Sequence, residues 1–247
     1  MSRSELPRVY QLIDLIQERA HPSSYFQNFE HSIEEEVEKR RVWLNREKEL
    51  QRLDLKAWNF LKNEVSPYLT ARNHRGRGWE QLISILNQAR AYNYLLDIGC
   101  SEIKFIPRIE GKETPDLEAT IDDNPVICEV KTINKSAQEA EARQGGLARK
   151  TLASLEPGFF KKLTYDLEKA KNQMASYNNK PGVRHIVFIV INFDDLLGEY
   201  KTNYYEEIDQ HLALMPVAEI DVVFFNQKTC FHNDVNMKNA KVVNEAG

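Results

Sequence analysis

An apolar run that carries its own charges constrains this chain more than any other feature. Pro125–Ile133, "PVICEVKTI", has the density of a buried strand, yet Glu129 and Lys131 stand two residues apart within it. Side chains alternate along a strand, so Ile127, Glu129 and Lys131 share one face while Val126, Cys128 and Val130 share the other. An unpartnered buried charge costs several kcal/mol, so the strand must reach a polar site rather than pass through a sealed core. In the preceding run, "DLEATI", Leu117, Ala119 and Ile121 form an apolar face and Asp116, Glu118 and Thr120 a polar one. "DDNP" between them, Asp122 to Pro125, is turn chemistry. With all four residues in the loop, Glu118 pairs with Glu129 and Asp116 with Lys131. Three carboxylates and one ammonium then share a wet face, and such crowding calls for a hard divalent cation bound through oxygen.

The flanking pattern is helix, three strands, helix, strand, which predicts an α/β sandwich. "WEQLISILNQARAYNYLLDIG" places Trp79, Leu82, Ile83, Leu86, Ala89 and Tyr94 on one side, with Gly99 as its stop. The strand runs "EIKFIPRI", "DLEATI" and "PVICEVKTI" follow. Beyond a polar stretch broken by Gly145-Gly146 and Pro157-Gly158, "FFKKLTYDLEKAKNQMASY" spaces Phe160, Leu163, Leu167, Ala170, Met174 and Tyr177 as one helix face. "RHIVFIVINF" reads as a buried strand, "NYYEEIDQHLALM" as a helix and "EIDVVFF" as another strand. Ahead of all this, Leu6 to about Thr70 reads as helical, with no Gly or Pro between Ser23 and Ser66. Phe26, Phe29, Ile33 and Val37, then Trp58, Leu61 and Val65, form a stripe on one long helix or two, packed on the body or on a partner. The expected organisation is a helical extension over 1–72, a core over 73–228 and a tail over 229–247.

Composition narrows the classes. Nothing approaches the roughly 18 apolar residues of a membrane span, and the N-terminus lacks the layout of a secretory signal. Three dispersed cysteines, Cys100, Cys128 and Cys230, fit neither a cysteine-held metal site nor a disulfide framework. A cytoplasmic, reduced protein away from membranes is expected. The net charge of −4 gives no overall basic footprint, although local patches and metal-binding carboxylates are compatible with it.

Pro115-Asp116 followed by Glu129-Val130-Lys131 resembles the signature of the PD-(D/E)xK nucleases, the restriction-endonuclease-like superfamily. Acid-x-Lys triplets recur as Asp54-Leu55-Lys56, Glu102-Ile103-Lys104, Glu110-Gly111-Lys112 and Glu199-Tyr200-Lys201. Only the Glu129 copy follows the chain's single Pro-Asp and closes an apolar strand. Many members carry a glutamate at the start of the first core helix, where "GRGWEQL" offers Gly78, Trp79 and Glu80. The RecB-like branch bears Gln-x-x-x-Tyr on the next helix, matched by Gln173 and Tyr177, neighbours at i and i+4. The resemblance covers about Gly76 to Gln227. It departs in the long polar segment between Lys131 and Phe160 and in lacking the iron–sulfur cysteines of some RecB-like members.

The resemblance implies a restriction-endonuclease-like core and phosphodiester hydrolysis, most naturally of DNA. Asp116, Glu129 and the Val130 carbonyl would hold Mg²⁺ or Mn²⁺, with Glu80 completing the site or holding a second ion. Lys131 would orient or help deprotonate the attacking water, and Gln173 and Tyr177 would complete the catalytic set. Arg75, Arg77, Arg149, Lys150, Lys161 and Lys162 are potential backbone contacts. A homodimer with two active sites would cut both strands of a duplex. Each residue also has a plainer role: Asp116 as a turn residue, Glu129 with Lys131 as a structural ion pair, Glu80 as a first-turn glutamate, Tyr177 as a core residue. The rival from another class is a nucleic-acid-binding or scaffolding protein that keeps the fold without cutting.

Overall fold

The computed structural model describes residues 3–16, 24–70, 79–133, 154–191, 200–215, 220–226 and 229–231. The chain divides into two units, residues 1–93 and 94–247.

In the second unit the described strands form one six-stranded sheet in chain order. They are β1 (Ser101–Phe105), β2 (Leu117–Ile121), β3 (Asn124–Ile133), β4 (Arg184–Ile191), β5 (Asp221–Asn226) and β6 (Thr229–Phe231). β1, β2 and β3 make an antiparallel meander, β4 and β5 continue it in parallel, and β6 returns antiparallel. Parallel neighbours need crossovers, and helices α6 (Pro157–Tyr177) and α7 (Lys201–Leu214) lie on the two that are required. β3 and β4 read as near-continuous apolar runs, as strands covered on both faces do. The class is therefore mixed α/β, as the sequence predicts; β6 is too short for its pattern to announce.

Alternation along the strands sorts the sheet into two faces. Ile127, Val187 and Ile189 pack with Leu163, Leu167, Ala170 and Met174 of α6. On the other face Phe188 meets Tyr94 and Phe225, with ring centroids 5.4 and 6.0 Å apart. Helix α5 (Glu80–Asp97) ends as its glycine foretells. Gly99 takes φ +88°, and the Cys100 N–H reaches back to the Leu95 carbonyl at 2.9 Å.

The β2–β3 hairpin turns on two residues, not the four expected. Ile121 pairs with Asn124, Thr120 with Pro125, and Glu118 with Ile127. Asp122 and Asp123 take φ values of 48° and 63°, the left-handed conformation at both central positions that matches the strand twist. Aspartate tolerates this region because its short side chain bonds locally. Pro125 stays inside the strand at no cost. The pair next to the turn exchanges hydrogen bonds, so the following pair, Thr120 and Pro125, asks for no N–H. A two-residue slip leaves every side chain on its expected face. It changes partners: Asp116 falls opposite Glu129 rather than Lys131, and Glu118 opposite Ile127 rather than Glu129.

The first unit is helical: α1 (Pro7–Asp14), α2 (Phe29–Glu35), α3 (Val37–Gln51), α4 (Leu55–Val65) and the opening turns of α5. The glycine-free stretch is thus neither one helix nor two. Glu36 breaks it with extended backbone, φ −111° and ψ 102°, and Asp54 caps α4 by accepting the Ala57 N–H at 2.8 Å. Phe26, Phe29, Ile33, Trp58, Leu61 and Val65 are buried as expected, but Val37 is 70% exposed because the break at Glu36 resets the helical phase. Rings of Tyr25, Phe26 and Phe29 lie 5.2–5.9 Å from Trp43, so the aromatic stripe is covered within its own unit.

Two helices here cap each other. The residue preceding α1 is Leu6, apolar and fully buried, so it offers no side chain to the free N–H groups of the first turn. Glu47 of α3 supplies it instead, accepting from Arg8 N–H at 3.1 Å and Val9 N–H at 2.8 Å. In return the Arg8 guanidinium donates to the carbonyls of Leu50 and Leu53 at the end of α3.

Candidate active site

Asp116 directly precedes β2 and falls opposite Glu129 on the neighbouring β3, so that each carboxyl acts on the other. Asp116 also accepts the Val130 N–H at 2.8 Å, and its own carbonyl takes the Ile106 N–H at 2.9 Å. Lys131 folds back so that Nζ lies 2.6 Å from Glu129 Oε1. The other Glu129 oxygen accepts from Gln173 Nε2 at 3.0 Å, and the same amide group donates to the Thr114 carbonyl at 2.6 Å. Gln173 therefore ties α6 both to Glu129 and to the segment just ahead of Asp116.

The electrostatics follow from burial. Glu129 is only 4% exposed. Desolvation first, and Asp116 beside it second, push its carboxyl up to about 8, outweighing the pull of Lys131. Asp116 keeps part of its surface at solvent, yet desolvation again dominates and raises its pKa. The Val130 N–H, Lys131 and Arg108 act against that shift. Two carboxyls set against each other in this way titrate as a pair, and the first negative charge opposes the second.

A divalent cation relieves that opposition, and the backbone offers it a further oxygen. The N–H and C=O of a strand residue point to the same side, so the Val130 carbonyl faces β2, as its N–H does. Continuing the ladder sets Pro115 opposite Val130, and proline has no N–H to give that carbonyl. Asp116, Glu129 and the Val130 carbonyl thus fit a hard cation with oxygen preference. The expected trio of carboxylates does not gather: among the described residues no group of three or more His, Cys, Asp or Glu side chains is placed to hold a metal. Glu118 lies two residues further along β2 and accepts from Tyr177 Oη at 3.1 Å. Tyr177, which the helical pattern puts on the apolar stripe, is 38% exposed.

The remaining sequence-derived residues are placed as follows. Glu80 opens α5 and is half-buried in the first unit, a different unit from the hairpin. Lys161 and Lys162 are exposed on α6, at least 11 residues before Gln173, or about 16 Å along the helix at ~1.5 Å per residue. Lys162 is paired with Asp166 at 2.7 Å. Arg75, Arg77, Arg149 and Lys150, with Gly78, lie outside the described residues. Sequence reasoning passed over Arg108, a lone arginine between two strands with no spacing to mark it, whose charge acts on Asp116.

A stability profile tests this electrostatic arrangement. A carboxyl whose folded pKa is raised contributes stability that is complete below its unfolded value, near 4.5, and is lost as pH rises toward 8. Melting in EDTA should therefore show stability falling across that window, by on the order of a few kcal/mol. Glu129→Gln should flatten the profile. A wild-type profile already flat between those values would rule out the buried coupled pair.

No helix among the described residues is long and apolar enough to cross a membrane. No protein-family model, curated protein or solved structure matches the chain.

Proposed function

We propose that the chain is a Mg²⁺-dependent nuclease, with Mn²⁺ able to substitute, that hydrolyses phosphodiester bonds in nucleic acid, DNA foremost, on a restriction-endonuclease-like core. The observation that carries this reading is the placing of Asp116 opposite Glu129 across the hairpin, with Lys131 at 2.6 Å from Glu129. The order α5, β1–β2–β3 meander, α6, β4, with β4 parallel to β3, agrees with that core.

In this reading Asp116, Glu129 and the Val130 carbonyl hold the metal, which when bound lowers the pKa of water and offsets charge on the phosphate. Lys131 orients the attacking water and stabilises the negative charge that develops as oxygen adds to phosphorus. The bond to the leaving oxygen then breaks, giving a phosphate monoester and a hydroxyl. Gln173 holds Glu129 in one rotamer by bonding the oxygen that Lys131 does not use, so that little reorganisation accompanies the reaction.

The test is the purified full chain with supercoiled plasmid, linear duplex, single-stranded DNA and RNA, each with Mg²⁺, Mn²⁺ or EDTA. Cleavage of DNA with either cation and none in EDTA is expected. Cleavage that survives EDTA, or none on any substrate, would leave a protein that binds without cutting or one with another chemistry.

A further inference from the structure

A groove of ≈ 410 Å³ opens in the second unit beside the carboxylate pair. Its nearer wall is built by register: Lys104 of β1 stands opposite Glu118 of β2, and Tyr177 of α6 bonds Glu118. Two strand residues separate Glu118 from Asp116, about 7 Å, and both side chains lie on the same sheet face. That interval is close to the step between successive phosphates of an extended strand. The far wall comes from the end of α6, where Asn178 and Lys180 line the groove.

Three features of this groove suit a nucleotide. Tyr177 is 38% exposed while its hydroxyl is tethered to Glu118 at 3.1 Å, which holds a flat apolar ring in a fixed orientation. Lys104 and Lys180 bring ammonium groups to the two walls. Glu102 also lines the groove, and it sits in a bulge of β1, with φ 51° and the register slipping between Ser101 and Lys104. Bulges of this kind re-aim side chains next to sites, here at an edge strand. The volume lies within the range that encloses a small organic ligand.

We infer that the groove is a subsite for one unpaired nucleotide of the substrate strand, adjoining the phosphodiester held at Asp116 and Glu129; this rests on the nuclease reading. Tyr177 stacks on the base, Lys104 and Lys180 contact its phosphates, and Glu102 accepts from base amino groups. Stacking on Tyr177 takes up the face that a neighbouring base covers inside a duplex, so the substrate class is a single strand, or a duplex with a single-stranded end.

Fluorescence anisotropy of the full chain with a short labelled DNA oligonucleotide in EDTA tests the subsite, and cleavage with Mg²⁺ or Mn²⁺ tests the nuclease reading separately. Tyr177→Ala should weaken oligonucleotide binding about tenfold, whereas Tyr177→Phe, which keeps the ring, should stay within about twofold. The Lys104→Ala, Lys180→Ala double variant should reduce the slope of log K against log[salt] by about 1.4, for two contacts at ~0.7 each. Circular dichroism of each variant confirms the fold. Unchanged affinity and salt slope, blunt duplex bound as tightly as single strand, or no oligonucleotide binding by the wild type would each overturn the subsite. Binding that responds as expected without any cleavage would keep the subsite and remove the nuclease; cleavage with the variants indifferent would do the reverse.

Discussion

Lys131→Ala is expected to abolish cleavage, lowering the rate by about 10²–10³ or more, the range for deleting one group that stabilises developing charge. The substitution removes the ammonium that lies 2.6 Å from Glu129 without changing the strand that carries it. Lys131 lies near the end of β3, partly open to solvent, so the alanine variant should still melt cooperatively and bind nucleic acid. Asp116→Ala and Glu129→Ala should be equally inactive and should in addition lose Mg²⁺ binding, since each takes away a ligand oxygen. Titration of Mg²⁺ followed by calorimetry separates the two kinds of loss. Cleavage by Lys131→Ala at the wild-type rate would make Lys131 a structural counter-ion and sink the mechanism.

Glu47→Ala should destabilise the helical unit by about 3 kcal/mol. It strips the acceptors from two N–H groups of α1, that of Val9 buried and that of Arg8 part-buried, and each stranded buried donor costs ~1–3 kcal/mol. Glu47 is 2% exposed and also accepts from Gln51 Nε2 at 2.9 Å, but Gln51 is exposed and its amide turns to water in the alanine variant. The loss reaches further, because an anion at a helix N-terminus is favoured by the helix dipole. Glu47→Gln retains one acceptor oxygen and should cost less. All three tryptophans, Trp43, Trp58 and Trp79, fall within the first unit, so tryptophan fluorescence in a denaturant titration reads this unit alone. A midpoint unmoved by Glu47→Ala would mean that solvent reaches those N–H groups.

What could be read in the sequence followed the range of the interaction. The two faces of β2 and β3 were legible because a period of two is written in the residues themselves. Their register was not, since Asp122–Pro125 is compatible with a two- or a four-residue turn and hydrophobic patterning is blind to an even slip. Glu118 was accordingly assigned to the cation cluster when its partner is Tyr177. The breaks between α2, α3 and α4 carry no Gly or Pro, and only Asp54 leaves a local trace, as a capping residue ahead of Leu55. Nothing local reveals Glu47 as a cap, for its partners lie 38 and 39 residues away. Gln173 and Tyr177 stood out through a family resemblance. Their partners, Glu129 with the Thr114 carbonyl for one and Glu118 for the other, were visible only once α6 lay across the sheet.

The hairpin also sets the sequence in which the parts of the site meet during folding. Bringing Val130 to Asp116 closes a loop of 14 residues, whereas bringing Gln173 to Glu129 closes one of 44. Chain-closure entropy grows with the logarithm of loop length, so the second closure costs about 1 kcal/mol more. The carboxylates are thus gathered by the cheaper search and the amide that fixes them arrives by the dearer one. On that ordering the two acids are expected to meet before the amide that fixes them does.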